Sequence, residues 1–76
     1  MNMDIKENIG KTIILLRQNA GFTQEQFANE TGIGRHYLSD IENGKRNISI
    51  DTICKISNFL NISLSDFFAL VEKRNN

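Results

Sequence analysis

Between Thr23 and Gly44 the chain starts a helix, breaks it and starts again. Thr23 is followed three residues later by Gln26, the spacing of a capping box, and Phe22 and Phe27 stand where a hydrophobic staple closes such a helix start. Phe27 and Ala28 supply an inward face, so residues 23–31 read as a short helix. Gly32 then permits a backbone turn that a side chain would resist. Ile33 serves as an apolar plug, and the helical pattern resumes over 34–43 with Leu38 and Ile41 on its buried side. Asn43-Gly44 is a strong stop signal. Two short helices joined by a tight glycine-bearing turn force a corner, and the second can cross the first with its leading turn exposed.

The rest of the chain fits an all-α frame. Proline is absent, and strand-like alternation is nowhere sustained. Ile5, Ile9, Ile13 and Leu16 form one stripe, predicting a first helix over 5–19. Asp4 and Glu7 stand at its capping-box positions, and Ala20-Gly21 ends it. Ser49 caps a fourth helix over 49–60 with Ile53, Ile56 and Leu60 as its stripe, and Asn61 stops it. Ser63, with Asp66 at the box position, opens a fifth over 64–71 carrying Leu64, Phe67 and Phe68. Glu72 to Asn76 reads as a frayed polar tail. The expectation is a five-helix domain spanning 1–76, with a helix-turn-helix made by helices two and three.

At 76 residues the core must be thin, because a domain near this size buries only about 60% of the surface its unfolded chain exposes. Cys54 is alone, so no intrachain disulfide can form, and one Cys with one His does not make a structural zinc site. Support must come from a partner chain or a very regular helical core. Nine basic and nine acidic residues give zero formal net charge, which argues against a polycation wrapped in nucleic acid but leaves room for a local basic face. No run approaches about 18 apolar residues, so no membrane partner is expected. The MNMDIKENIG start lacks an export pattern, and cytoplasmic residence follows. No cofactor, metal or small-molecule ligand is expected. Catalysis would need convergent acid, base or metal ligands in a pocket, and the sequence offers none; RNA binding lacks a recognisable module.

The leading residues of the third helix are Gly34, Arg35, His36 and Tyr37. A helix presented this way fits the DNA major groove, where arginine reads guanine O6 and N7 together. Arg35 is the first base-reading candidate; otherwise it is an exposed arginine placed against the helix dipole. His36 reaches a base edge or a phosphate, or is simply exposed. Tyr37 touches phosphate or a thymine methyl, or packs half-buried. Ser39 lies one turn beyond Arg35 and faces the same way. Asp40 restrains Arg35, accepts from cytosine N4, or is solvated. Lys45, Arg46 and Asn47 form a polar loop able to run beside the DNA backbone, where contacts position without reading sequence.

These residues carry a resemblance. Thr23, Gln24, Phe27 and Ala28, then Gly32, Leu38, Ile41, Glu42, Asn43 and Gly44, and later Leu60-Asn61-Ile62-Ser63, resemble the phage-repressor class of helix-turn-helix domains. Phe27 stands for the usual Leu and Asn61 for the usual Gly. A closer likeness is to the controller proteins of restriction-modification systems. The resemblance implies a stand-alone dimer that regulates transcription, with Arg35, Tyr37, Ser39, Arg46 and Asn47 facing DNA. It also implies a phosphate anchor at Gln24 and a partly buried Arg17–Glu42 ion pair between helices one and three. Gly34 and His36 depart from the pattern and leave the target sequence open. The partners implied are double-stranded DNA, a second copy of the chain and, for an activator, RNA polymerase. A dimer reads inverted half-sites about 34 Å apart. With helix three in the groove, the seam falls to helices four and five, with Ile50, Phe59, Phe68 and Val71 as contacts; these residues could instead complete the monomer core, Phe59 above all. A prophage-type repressor, or an antitoxin-like module that binds protein, are the alternatives.

Overall fold

The computed structural model describes residues 4–74. Its five helices are α1 (Ile5–Asn19), α2 (Gln24–Thr31), α3 (Arg35–Glu42), α4 (Ile50–Leu60) and α5 (Leu64–Lys73). The polar starters sit just outside the helices as caps. Thr23 Oγ1 accepts the Gln26 N–H at 3.1 Å while Gln26 Oε1 accepts the Thr23 N–H at 2.9 Å, a complete capping box. Ser49 and Ser63 accept from Thr52 and Asp66 at 3.1 and 3.0 Å. At α1 only half of the expected box forms: Asp4 accepts the Glu7 N–H at 3.1 Å, but the Glu7 carboxylate turns to Lys11 Nζ at 2.8 Å.

Three of the exits follow one rule. After α1, α3 and α4 the chain closes with paired bonds back into the last turn: Phe22 N–H to Arg17 O and Gly21 N–H to Gln18 O, with the equivalent pairs at Lys45/Gly44 and Ile62/Asn61. This geometry needs a left-handed residue. Asn61 supplies it at φ 56, which the short polar Asn side chain tolerates better than most. The frayed tail expected from Glu72 onward is corrected by the structure at Glu72, Lys73 and Arg74. Glu72 and Lys73 continue α5, because Val71 is fully buried just before them and Arg74 Nε donates to Thr12 Oγ1 at 3.2 Å, tying this end to α1. Asn75 and Asn76 lie outside the described residues.

The core is built from Ile9 and Ile13 of α1, Phe27 and Ala28 of α2, Ile33, Leu38 and Ile41 around α3, Ile53 and Ile56 of α4, and Phe67 and Val71 of α5. Val71 was expected at a dimer seam. It is fully enclosed in the monomer instead, because it lies one turn beyond Phe67 on the same face of α5. Phe59 belongs largely to the monomer as well: its ring packs edge-on to Phe22 and Phe27 at centroid distances of 5.4 and 5.6 Å. Ile50 remains exposed and Phe68 is half-buried.

Gly10, in the middle of α1, sets how closely α1 and α3 approach. A Cβ there would lie 2.5 Å from the Ile41 carbonyl oxygen and 2.7 Å from that of Glu42. α1 therefore rests directly on the last turn of α3, and only a residue without a side chain allows it.

Candidate nucleic-acid interface

The turn between α2 and α3 contains Gly32 at φ 75 and the buried Ile33. Leu38 and Ile41 anchor α3 on its inner side, so its outer side and leading end must face away from the core. Arg35 and His36 lie there, with side chains 62% and 90% exposed. Gly34 gives this helix no side-chain cap. Its first amides therefore point outward unpaired by any cap, a geometry suited to an anion such as phosphate.

The inner edge is held by charge. Arg17 Nε and Nη2 donate to Glu42 Oε2 and Oε1 at 2.8 and 2.9 Å, and Arg17 Nη1 donates to the Phe22 carbonyl at 3.0 Å. The two side chains are only 10% and 3% exposed. Gln24 Nε2 adds a third bond to Glu42, at 3.0 Å. One carboxylate thus ties α1, the start of α2 and the end of α3 together. Gln24, the phosphate-anchor candidate, has one amide hydrogen directed inward and one left for an outside acceptor.

Tyr37 is half-buried. Its hydroxyl accepts the Ser49 N–H at 3.2 Å, and the Arg46 guanidinium lies 5.3 Å from its ring centroid, within cation–π range. Hydrogen bonding with the Thr52 side chain, against some opposition from burial and with help from Ser49 and the Arg46 charge, holds the phenol below its ordinary value. Tyr37 thereby joins the recognition helix to the loop carrying Lys45, Arg46 and Asn47, all three exposed.

Asp40 does not restrain Arg35. The acid nearest Arg35 is Glu25 of α2, at 3.8 Å. Asp40 Oδ2 instead lies 3.6 Å from His36 Nε2 and 3.7 Å from Arg46 Nε. Ser39 is half-buried beside it, with its carbonyl closing the end of α3 on Asn43. The structure thus joins His36, Asp40, Tyr37 and Arg46 on α3 and the loop after it, with Arg35 exposed at the leading end of α3, Lys45 and Asn47 exposed beside Arg46 in the loop, and Gln24 bonded to Glu42 at the other end of α3. Sequence reasoning missed three features. Gly10 was marked only by being a glycine inside a helical pattern. The Arg35–Glu25 and Arg46–Asp40 pairs lie across tertiary contacts and left no local signal. No group of three or more His, Cys, Asp or Glu side chains among the described residues is placed to hold a metal ion.

The helix-turn-helix family model matches residues 13–67, from the middle of α1 into α5. The chain belongs to the helix-turn-helix family. It is similar to the control protein C.MunI of Mycoplasma sp, 44% identical over 71 residues that cover 92% of this chain and 96% of that protein. It is 37% identical over 67 residues to the control protein C.BamHI of Bacillus amyloliquefaciens, covering 87% and 83% of the two chains. The fold matches the restriction-modification controller protein C.Esp1396I, solved as a tetramer with its natural 35-base-pair operator. That likeness has a TM-score of 0.80 and 30% identity, over 91% of each chain. The matched helix-turn-helix segment contains the whole cluster around α3.

Proposed function

We propose that this helix-turn-helix protein is a homodimeric, sequence-specific regulator of transcription that binds an inverted-repeat operator in duplex DNA, acting in the cytoplasm as a restriction-modification controller. The observation that carries the reading is the orientation of α3: Leu38 and Ile41 are buried while Arg35 and His36 stand free at the leading end. Arg35 reads a base edge in the major groove, with His36, Ser39 and Tyr37 as flanking readers. Gln24, Tyr37, Lys45, Arg46 and Asn47 contact phosphate and set the register. The likeness to controller proteins over nearly their full length supports the narrower assignment.

The second copy docks along α4 and α5. Ile50, 67% exposed, borders a groove of about 280 Å³ whose apolar lining includes Ile5, Ile48 and Phe68 and which Arg46 and Asn47 also line. A second chain seated on Ile50 and Phe68 removes apolar surface from water and adds to a thin core, leaving Arg46 and Asn47 to the DNA. With the seam there, both α3 helices stay free for successive turns of one DNA face.

The test is selection from a random duplex library, followed by titration of the recovered sequence against salt. The expected result is an inverted repeat with half-sites about one helical turn apart and affinity that falls steeply with salt. Recovery of no preferred duplex, together with a stable complex with another protein, would favour the antitoxin-like alternative.

A further inference from the structure

Arg46 is the loop cation assigned to phosphate, yet in the free protein it is already engaged. Its guanidinium lies between the Tyr37 ring, 5.3 Å from the centroid, and Asp40 Oδ2, 3.7 Å from Nε. The same carboxylate oxygen is 3.6 Å from His36 Nε2, one turn earlier on α3. Asp40 is the more sheltered member, its side chain 25% exposed against 53% for Arg46 and 90% for His36. A single carboxylate on the recognition helix therefore orients a loop cation and offsets the positive charge of the face meant for DNA.

We infer that Asp40 is a specificity-determining positioning residue, whose carboxylate repels phosphate from every duplex and offsets that repulsion only where α3 fits, by holding Arg46 over Tyr37. This rests on the DNA-binding reading above and names the residue that sharpens it. Two effects follow from the geometry. Any phosphate drawn to the face meets the Asp40 charge, whatever the sequence, so non-specific binding is weakened. In the fitted register Arg46 is already placed, so less freedom is lost when it meets its phosphate. Removing the carboxylate relieves the first effect everywhere and forfeits the second only at the operator. Non-specific binding must then gain more than specific binding.

Asp40→Asn is the test. The Asp40 carbonyl accepts the Lys45 N–H at 2.9 Å and closes the end of α3; Asn keeps that carbonyl. Wild type, Asp40→Asn and Asp40→Glu are titrated against the selected inverted repeat and a scrambled duplex at about pH 8, above the ordinary imidazole range. Exchange of the Arg46 Nε–H with solvent is followed by NMR without DNA. Asp40→Asn is expected to tighten binding to scrambled duplex by about two- to fivefold, the size of effect an exposed ion pair produces. The operator should gain less, so their ratio falls, while Arg46 Nε–H exchange quickens and Asp40→Glu restores both. An unchanged ratio in a wild type that does discriminate, or Arg46 exchange indifferent to residue 40, overturns this inference alone. A wild type that prefers no duplex overturns the DNA-binding reading and this inference with it.

Discussion

Replacing Glu42 by alanine should come close to unfolding the protein. The Glu42 carboxylate accepts three hydrogen bonds, two from Arg17 and one from Gln24, at 2.8 to 3.0 Å. Its removal leaves the Arg17 guanidinium, 10% exposed, with only the Phe22 carbonyl as partner. Breaking a buried pair from one side costs about 3–5 kcal/mol, because the remaining charge stays out of water. Total stability for 76 residues is about 4–11 kcal/mol. The single change thus removes a large part of it and lowers the melting temperature by more than about 12 °C. Arg17→Met with Glu42→Met tests the reasoning from the other side. Removing both charges relieves the desolvation cost, so the double variant should be clearly more stable than Glu42→Ala, within about 2 kcal/mol of wild type. Urea unfolding followed by helical circular dichroism places both variants and wild type on one stability scale. A loss below about 1 kcal/mol for Glu42→Ala would mean that the pair behaves as a solvated surface contact, and the account of how α3 is held would be wrong.

Three other outcomes follow. Gly10→Ala should destabilise by about 1–3 kcal/mol despite the better helix propensity of alanine, since the new Cβ meets backbone oxygens at 2.5 and 2.7 Å; thermal melting measures it. Arg35→Ala should cost about 1–3 kcal/mol at one symmetric base position, whereas Arg46→Ala should weaken every duplex, far more evenly than Arg35→Ala does, and reduce the salt slope by about 1 per protomer; titration against operator and scrambled DNA separates them. Tyr37 is the single tyrosine in a chain without tryptophan, so ultraviolet titration reads it directly: in the folded protein it should ionise below its ordinary value of 10.0. Because the folded form favours the phenolate, this linkage stabilises the fold above pH 10.0 and its contribution is lost as pH falls through the folded value.

Local chemistry made most of the helices legible. Thr23 with Gln26, Ser49 and Ser63 specify starts through bonds three residues long. Gly21, Gly44 and Asn61 specify stops through one backbone conformation each. The His36–Asp40 contact was within reach too, being one helical turn. Contacts set by packing were not. Arg17 and Glu42 are 25 residues apart, and only family resemblance joined them in advance. Arg46 meets Asp40 because the Tyr37 hydroxyl fixes the loop at Ser49, a constraint no window of sequence displays. Val71 shows a different failure. Its spacing from Phe67 already placed it on the inner face of α5, but counting it as surplus apolar surface sent it to the seam.

Stability and recognition share α3, and this governs how any substitution there must be interpreted. Its inner side carries Leu38, Ile41 and Glu42, all buried; its outer side carries Arg35, His36 and Asp40. Against about 4–11 kcal/mol of total stability, an inner-side change of about 4 kcal/mol can leave a substantial unfolded fraction, and apparent DNA affinity then falls in proportion to the folded fraction. Bound operator restores part of the loss, because a ligand that binds only the folded form stabilises it. Inner-side variants should therefore regain melting temperature when operator is added and lose affinity equally for every duplex. Outer-side variants should melt like wild type without DNA and redistribute affinity among duplexes. A Leu38 variant that changed sequence preference while remaining fully folded would show that the two sides are not separable, and that the core itself tunes how α3 enters the groove.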